Sequence, residues 1–71
     1  MTKSALVVLG KNVNRLRTAA GFTQEHLAEK ANLSRRYIQE LEAGEKGPLV
    51  STLVRLRIAL KVTWEELMKG L

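Results

Sequence analysis

Two successive arginines, Arg35 and Arg36, follow Ser34 at the head of an apolar-periodic stretch that runs through Ile38 and Leu41. A serine in that place is a helix N-cap, so the arginines fall in the first helical turn. That turn exposes unpaired backbone N–H groups and the positive end of the helix dipole, which favour anions. Glu40 and Glu42 stand in the last turn, where cations are preferred. Each inverted charge costs on the order of tenths of a kcal/mol on a surface helix. Local violations of this kind gather at functional sites. Free N–H groups beside two guanidinium groups form a cradle for phosphate, and arginine also reads guanine through two donors. The alternative without a ligand is that Arg35 and Arg36 pair with neighbouring glutamates.

Other chemistry is hard to assemble from this chain. It has one histidine, His26, no cysteine and no aspartate, so all seven acids are glutamates. Disulfides, thiolate zinc sites, Ser-His-Asp triads, carboxylate–histidine metal sites and aspartate dyads lack their members. The expectation is a protein that is not an enzyme and has no cofactor, metal or small-molecule ligand. Seventy-one residues make a single domain, 1–71. A chain this short buries only about 60% of its unfolded surface, too little for a three-layer α/β enzyme core. Hydrophobic residues at 45% and charged residues at 27% place it among globular rather than disordered chains. The net charge of +5 suits a polyanionic partner or simply a soluble surface. The longest apolar run, Ala5 to Leu9, is too short for a membrane span or a signal peptide. Absence of cysteine agrees with a cytoplasmic location.

Periodicity and caps define the elements that must position the arginines. Leu6, Leu9, Val13, Leu16 and Ala20 form one stripe of an amphipathic helix, which Gly21 should end. Phe22-Thr23 leads into Leu27, Leu33-Ser34 into Ile38, and Val62-Thr63 into Leu67. In each, a hydroxyl N-cap follows an apolar residue that can pack on the one at N4, a hydrophobic staple. Thr63 and Glu66 add a capping box. Only Ala31, Asn32 and Leu33 separate the second and third helices, and Asn32 is the one able to take a positive φ. Ala43-Gly44 ends the third helix, and Pro48 suits the start of the next. Leu49, Leu53, Leu56 and Leu60 predict a fourth helix, and Trp64, Leu67, Met68 and Leu71 a short fifth. No strand pattern competes, so the fold class is all-α with five short helices. A short helix, a three-residue turn and a second helix with a basic amino end also permit, without demanding, a helix-turn-helix.

The stretch Thr23-Gln24-Glu25-His26-Leu27-Ala28-Glu29-Lys30-Ala31-Asn32-Leu33-Ser34-Arg35-Arg36-Tyr37-Ile38-Gln39-Glu40-Leu41-Glu42-Ala43-Gly44 resembles the helix-turn-helix of the Xre/Cro family of phage-repressor-like regulators. Leu16-Arg17…Gly21 before it and Gly44-Glu45-Lys46…Pro48…Thr52-Leu53 after it fit the same pattern, so the resemblance runs from about Leu9 to Leu67. It implies a compact five-helix, lambda-repressor-like DNA-binding domain with its motif at about 23–42. The Arg-Arg-Tyr start of the third helix further resembles controller proteins of restriction–modification systems. Carried over by position, Gln24 contacts a phosphate and buttresses the recognition helix, Ser34 lies near the backbone, and Lys46 meets phosphate from its loop. Arg35 and Arg36 take the leading base-reading positions. Tyr37 is either a contact to sugar-phosphate or thymine methyl, or a half-buried ring. Gln39 and Glu40 lie one turn on; Glu40 would accept from a cytosine amino group, or stand solvated, or pair with Arg36. Arg17 and Glu42 match an ion pair of the scaffold, and Ala28, Ile38 and Leu41 match packing positions. His26 reads as a surface residue.

The chain also departs from the pattern. Asn32 stands where glycine is commonest, and Lys61 replaces a helix-ending glycine at a cost of about 1–2 kcal/mol. Arg57-Ile58 reverses the usual apolar–basic order, so either the helix end is rotated or Ile58 is exposed and covered by a partner. Ile58, Trp64, Met68 and Leu71 are the candidate dimer contacts, with ordinary core and surface positions as the alternative. The expected function is a sequence-specific, double-stranded-DNA-binding transcriptional regulator acting as a homodimer on an inverted repeat. A restriction–modification controller and a prophage regulator both fit. The competing class is an antitoxin-like protein-interaction module with secondary DNA binding.

Overall fold

The hydroxyl residues expected to start helices do so. In the computed structural model, which describes all 71 residues, Oγ of Thr23 accepts from the His26 N–H at 3.0 Å. Oγ of Ser34 accepts from the Tyr37 N–H at 3.0 Å, and Oγ of Thr63 from the Glu66 N–H at 3.1 Å. The Glu66 carboxylate returns the bond by accepting from the Thr63 N–H at 2.9 Å, which closes the capping box. Thr2 supplies a further cap by accepting from the Ala5 N–H at 3.1 Å. The helices are α1 (Lys3–Ala19), α2 (Gln24–Ala31), α3 (Arg35–Glu42), α4 (Val50–Leu60) and α5 (Trp64–Leu67).

One exit closes α1 to α4. One or two residues past the helix end the chain turns left-handed, and the N–H that follows reaches back five positions, so the last carbonyls are satisfied. The left-handed residues are Gly21, Asn32, Gly44 and Lys61, with φ of 78°, 56°, 75° and 56°. The closing bonds run from Phe22 to Arg17, Leu33 to Ala28, Glu45 to Glu40, and Val62 to Arg57. After three of these exits comes a staple residue. Phe22, Leu33 and Val62 are half-buried against a core that contains Leu27, Ile38 and Leu67. The tight link between α2 and α3 thus takes its direction from Asn32 and its anchorage from Leu33.

The core draws Leu9 and Val13 from α1, Leu27, Ala28 and Ala31 from α2, Ile38 and Leu41 from α3, and Leu53, Leu56, Ala59 and Leu60 from α4. Leu67 joins it from α5. Helix α1 crosses the end of α3 at Gly10, where a Cβ would stand 2.5 Å from the Leu41 carbonyl oxygen and 2.8 Å from that of Glu42. Only glycine allows that approach. Helix α5 spans four residues, too few to hold its own ends. The buried Asn12 amide supplies the missing tie by donating to the carbonyls of Leu67 at 2.9 Å and Lys69 at 2.8 Å.

Three boundaries differ from the periodic reading. Leu49 is not a core position of α4; it is the N-cap, in extended backbone and 72% exposed. Its extended ψ directs the side chain away from the first turn, and the stripe begins instead at Leu53. Ala20 is the exposed C-cap of α1 rather than part of its buried face. Met68 caps α5 and Leu71 lies beyond the helix, because the chain turns left-handed again at Gly70, with φ 84°.

Candidate nucleic-acid interface

Ile38 and Leu41 are fully buried beneath α3, which leaves the opposite side of that helix to solvent. On that side Ser34, Arg35, Arg36 and Gln39 are exposed, and Glu40 is half-buried. Tyr37 is half-buried against the core, so its ring serves the scaffold at least in part. The ion pair of the structure joins Arg17 to Glu42; Arg35, Arg36 and Glu40 have none. Pairing of Arg35 or Arg36 with neighbouring glutamates, Arg36–Glu40 included, therefore does not form. Both guanidinium groups stay free at the cation-repelling end of α3, available to an incoming anion or base edge.

The far end of α3 is locked. The Glu42 side chain is 5% exposed and is met by donors from two other helices. Its Oε2 accepts from Arg17 Nε at 2.7 Å. Its Oε1 accepts from Asn14 Nδ2 at 2.8 Å, Gln24 Nε2 at 3.1 Å and Arg17 Nη2 at 3.2 Å. Burial pushes the Glu42 carboxyl up, but the Arg17, Asn14 and Gln24 hydrogen bonds and the Arg17 charge outweigh it and hold the group below the ordinary glutamate value. Arg17 is itself fixed, since its Nη1 donates to the Phe22 carbonyl at 2.7 Å. The scaffold pair expected from the sequence is thus one side of a larger network.

Gln24 occupies the first position of α2 and is half-buried. Its side-chain amide ties the start of α2 to the end of α3 through Glu42. On its outer side, Thr23, Gln24, Glu25 and Arg35 line one polar notch, which brings the starts of α2 and α3 together. Lys46 is exposed in the loop between α3 and α4. His26 is a surface residue, stacked edge-on against Phe22 at 4.6 Å. Among the residues suggested for a dimer, Ile58 is 59%, Trp64 43% and Leu71 49% exposed, while Met68 is half-buried against the core. Ile58 thus lies uncovered on the protomer surface. Arg57 is half-buried and lies over the Trp64 ring at 5.2 Å. No cluster of three or more His, Cys, Asp or Glu residues could hold a metal, and no helix is long and apolar enough to cross a membrane.

Sequence reasoning passed over Gly10, Asn12 and Asn14. Gly10 carried a signal, a glycine within a helical stripe, which marks close backbone approach when the helix persists. The two asparagines carried none, because their partners lie 55 and 28 positions away.

A reading helix with a free arginine-rich start, set on a second helix by a left-handed turn, is how a helix-turn-helix domain meets the major groove. The chain belongs to the helix-turn-helix family, whose model matches residues 13–67. It is 40% identical over 60 residues to the uncharacterized HTH-type transcriptional regulator y4dJ of Sinorhizobium fredii, covering 84% of this chain and 78% of that protein. It is 36% identical over 61 residues to the control protein C.SmaI of Serratia marcescens, covering 86% and 73%. The crystal structure of the restriction–modification controller C.AhdI from Aeromonas hydrophila superposes with a TM-score of 0.88 at 34% identity, over 92% of this chain and 94% of that one.

Proposed function

We propose that the protein is a sequence-specific regulator of transcription, working in the cytoplasm, that binds an inverted repeat in double-stranded DNA as a homodimer. The observation that carries this reading is the asymmetry of α3. Its end is anchored through Glu42, while its start presents Arg35 and Arg36 unpaired. Inserted start-first into the major groove, Arg35 and Arg36 hydrogen-bond guanine edges, each worth about 1–3 kcal/mol of discrimination. Tyr37, Gln39 and Glu40 lie along the same groove, with Glu40 accepting from a cytosine amino group. Gln24, Ser34 and Lys46 contact phosphates and set the register without reading sequence.

The homodimer is supported by the outward face of α4. Val50 is 76% and Ile58 59% exposed, with half-buried Val54 between them at four-residue spacing. Trp64 and Leu71 are exposed apolar residues near the end of the chain, where Leu71 and Met68 line a shallow apolar hollow with Met1, Ala5 and Val8. Dimers of this motif bind half-sites one DNA turn, about 34 Å, apart, which is the spacing a dimer of this chain would need between its two α3 helices. A restriction–modification controller and a prophage regulator both fit this reading. The test is in-vitro selection from random duplexes at physiological salt. Enrichment of an inverted repeat with guanines in each half-site is expected; absence of any enriched sequence overturns specific regulation and leaves a protein-interaction module as the better reading.

A further inference from the structure

Oε1 of Glu42 takes three donors, and the shortest of those bonds comes from Asn14, at 2.8 Å. Asn14 is exposed on α1, and its side-chain hydrogen bond goes to this carboxylate. The same oxygen accepts from Gln24 Nε2 at 3.1 Å. A carboxylate only accepts, so it settles which end of the Gln24 amide turns inward, namely the nitrogen. One of the two amide hydrogens is then spent on Glu42, and the second is left for an acceptor outside the protein. Gln24 lines the same polar notch as Arg35.

We propose that Asn14 is a positioning residue for DNA binding: by holding Oε1 of Glu42, it fixes the Gln24 amide so that its second N–H donates to a DNA phosphate. The inference rests on the phosphate role proposed above for Gln24. Arg17 grips Oε2 at 2.7 Å and is itself tied to the Phe22 carbonyl, but it reaches Oε1 only at 3.2 Å, so Asn14 at 2.8 Å holds that oxygen more closely. Asn14 approaches that oxygen directly from one turn earlier on α1. Removing its amide leaves the ion pair intact but frees Oε1 to follow Arg17 Nη2, which loosens the Gln24 amide. The bond from Gln24 to phosphate is neutral at the donor, so its loss weakens all sequences alike and leaves the salt dependence unchanged.

The experiment is a double-mutant cycle on the full chain, read as DNA affinity at two salt concentrations and as the thermal midpoint. Asn14→Ala should lower affinity about threefold to tenfold, in the lower part of the range for residues coupled through one network. In a Gln24→Ala background the same substitution should have no further effect. Asn14→Asp, which keeps the size but opposes Glu42 with a second acid, should lose at least as much. A merely structural Asn14 would lower the midpoint and leave affinity intact, or lose the same factor with and without Gln24; either result overturns the proposal. Gln24→Ala binding as tightly as wild type would instead remove the phosphate role of Gln24, and the positioning role with it. Gln24→Ala weakening while Asn14→Ala does not would overturn the role of Asn14 alone.

Discussion

Glu42 of α3 and Arg17 of α1, 25 positions apart, meet at 2.7 Å with both side chains almost out of solvent. Removing one partner of such a pair strands the other, which costs about 3–5 kcal/mol in a buried site. Here Asn14 and Gln24 still donate to the carboxylate. Arg17→Met is therefore expected to destabilise by about 2–4 kcal/mol in urea unfolding. The pair also sets an acid limit. The folded Glu42 carboxyl titrates below its ordinary value of 4.5, so the unfolded chain takes up the proton first. Its contribution is present in full above the ordinary value and is lost as pH falls through the lowered native value. Glu42→Gln should flatten the fall of the thermal midpoint between neutral pH and pH of about 3. An unchanged acid limb would mean that other carboxylates govern it.

Lys61 holds the left-handed position that closes α4, with φ 56°. A side chain there costs about 1–2 kcal/mol relative to glycine, less what glycine loses in backbone entropy on folding. Lys61→Gly should therefore stabilise by about 1 kcal/mol and raise the midpoint by about 4–8 °C. Lys61→Ala, which keeps the Cβ, should bring no such gain.

Arg35 and Lys46 should separate under mutation. Arg35→Ala should cost about 1–3 kcal/mol on the preferred operator and relax one base position. Lys46→Ala should weaken all duplexes alike and lower the salt slope by about one. Identical effects of both on every sequence would erase the division between reading and positioning.

Ile58 tests the dimer surface. Because it is 59% exposed in the protomer, Ile58→Glu should leave the folded domain standing. A charge at the C-terminal end of the apolar α4 face should convert the proposed dimer to monomer in sedimentation and reduce operator affinity, without changing the reading of a half-site. A variant that stays dimeric would place the interface elsewhere.

Much of the architecture was legible because it is written in short-range chemistry. Thr23, Ser34 and Thr63 each bond an N–H only three positions on. Gly21, Asn32 and Gly44 were readable as turning points because few residue types take a positive φ. The misplaced pair Arg35 and Arg36 was readable for the same reason, since its conflict with the helix dipole lies within one turn. Leu49 misled because a four-residue repeat does not reveal where the first turn begins.

What no local rule could supply were the meetings of distant residues. Whether Arg36 pairs with Glu40 or stays free, and whether Ile58 is covered within the protomer, depended on how the helices pack. So did the place of Gly10 against the Leu41 carbonyl, and the convergence of Asn14, Arg17 and Gln24 on one carboxylate. Caps and turns are decided by neighbours in the chain, whose separation is the same in any fold. Buried polar networks are decided by partners brought together only when α1, α2 and α3 share one core, and burial then removes water as an alternative partner.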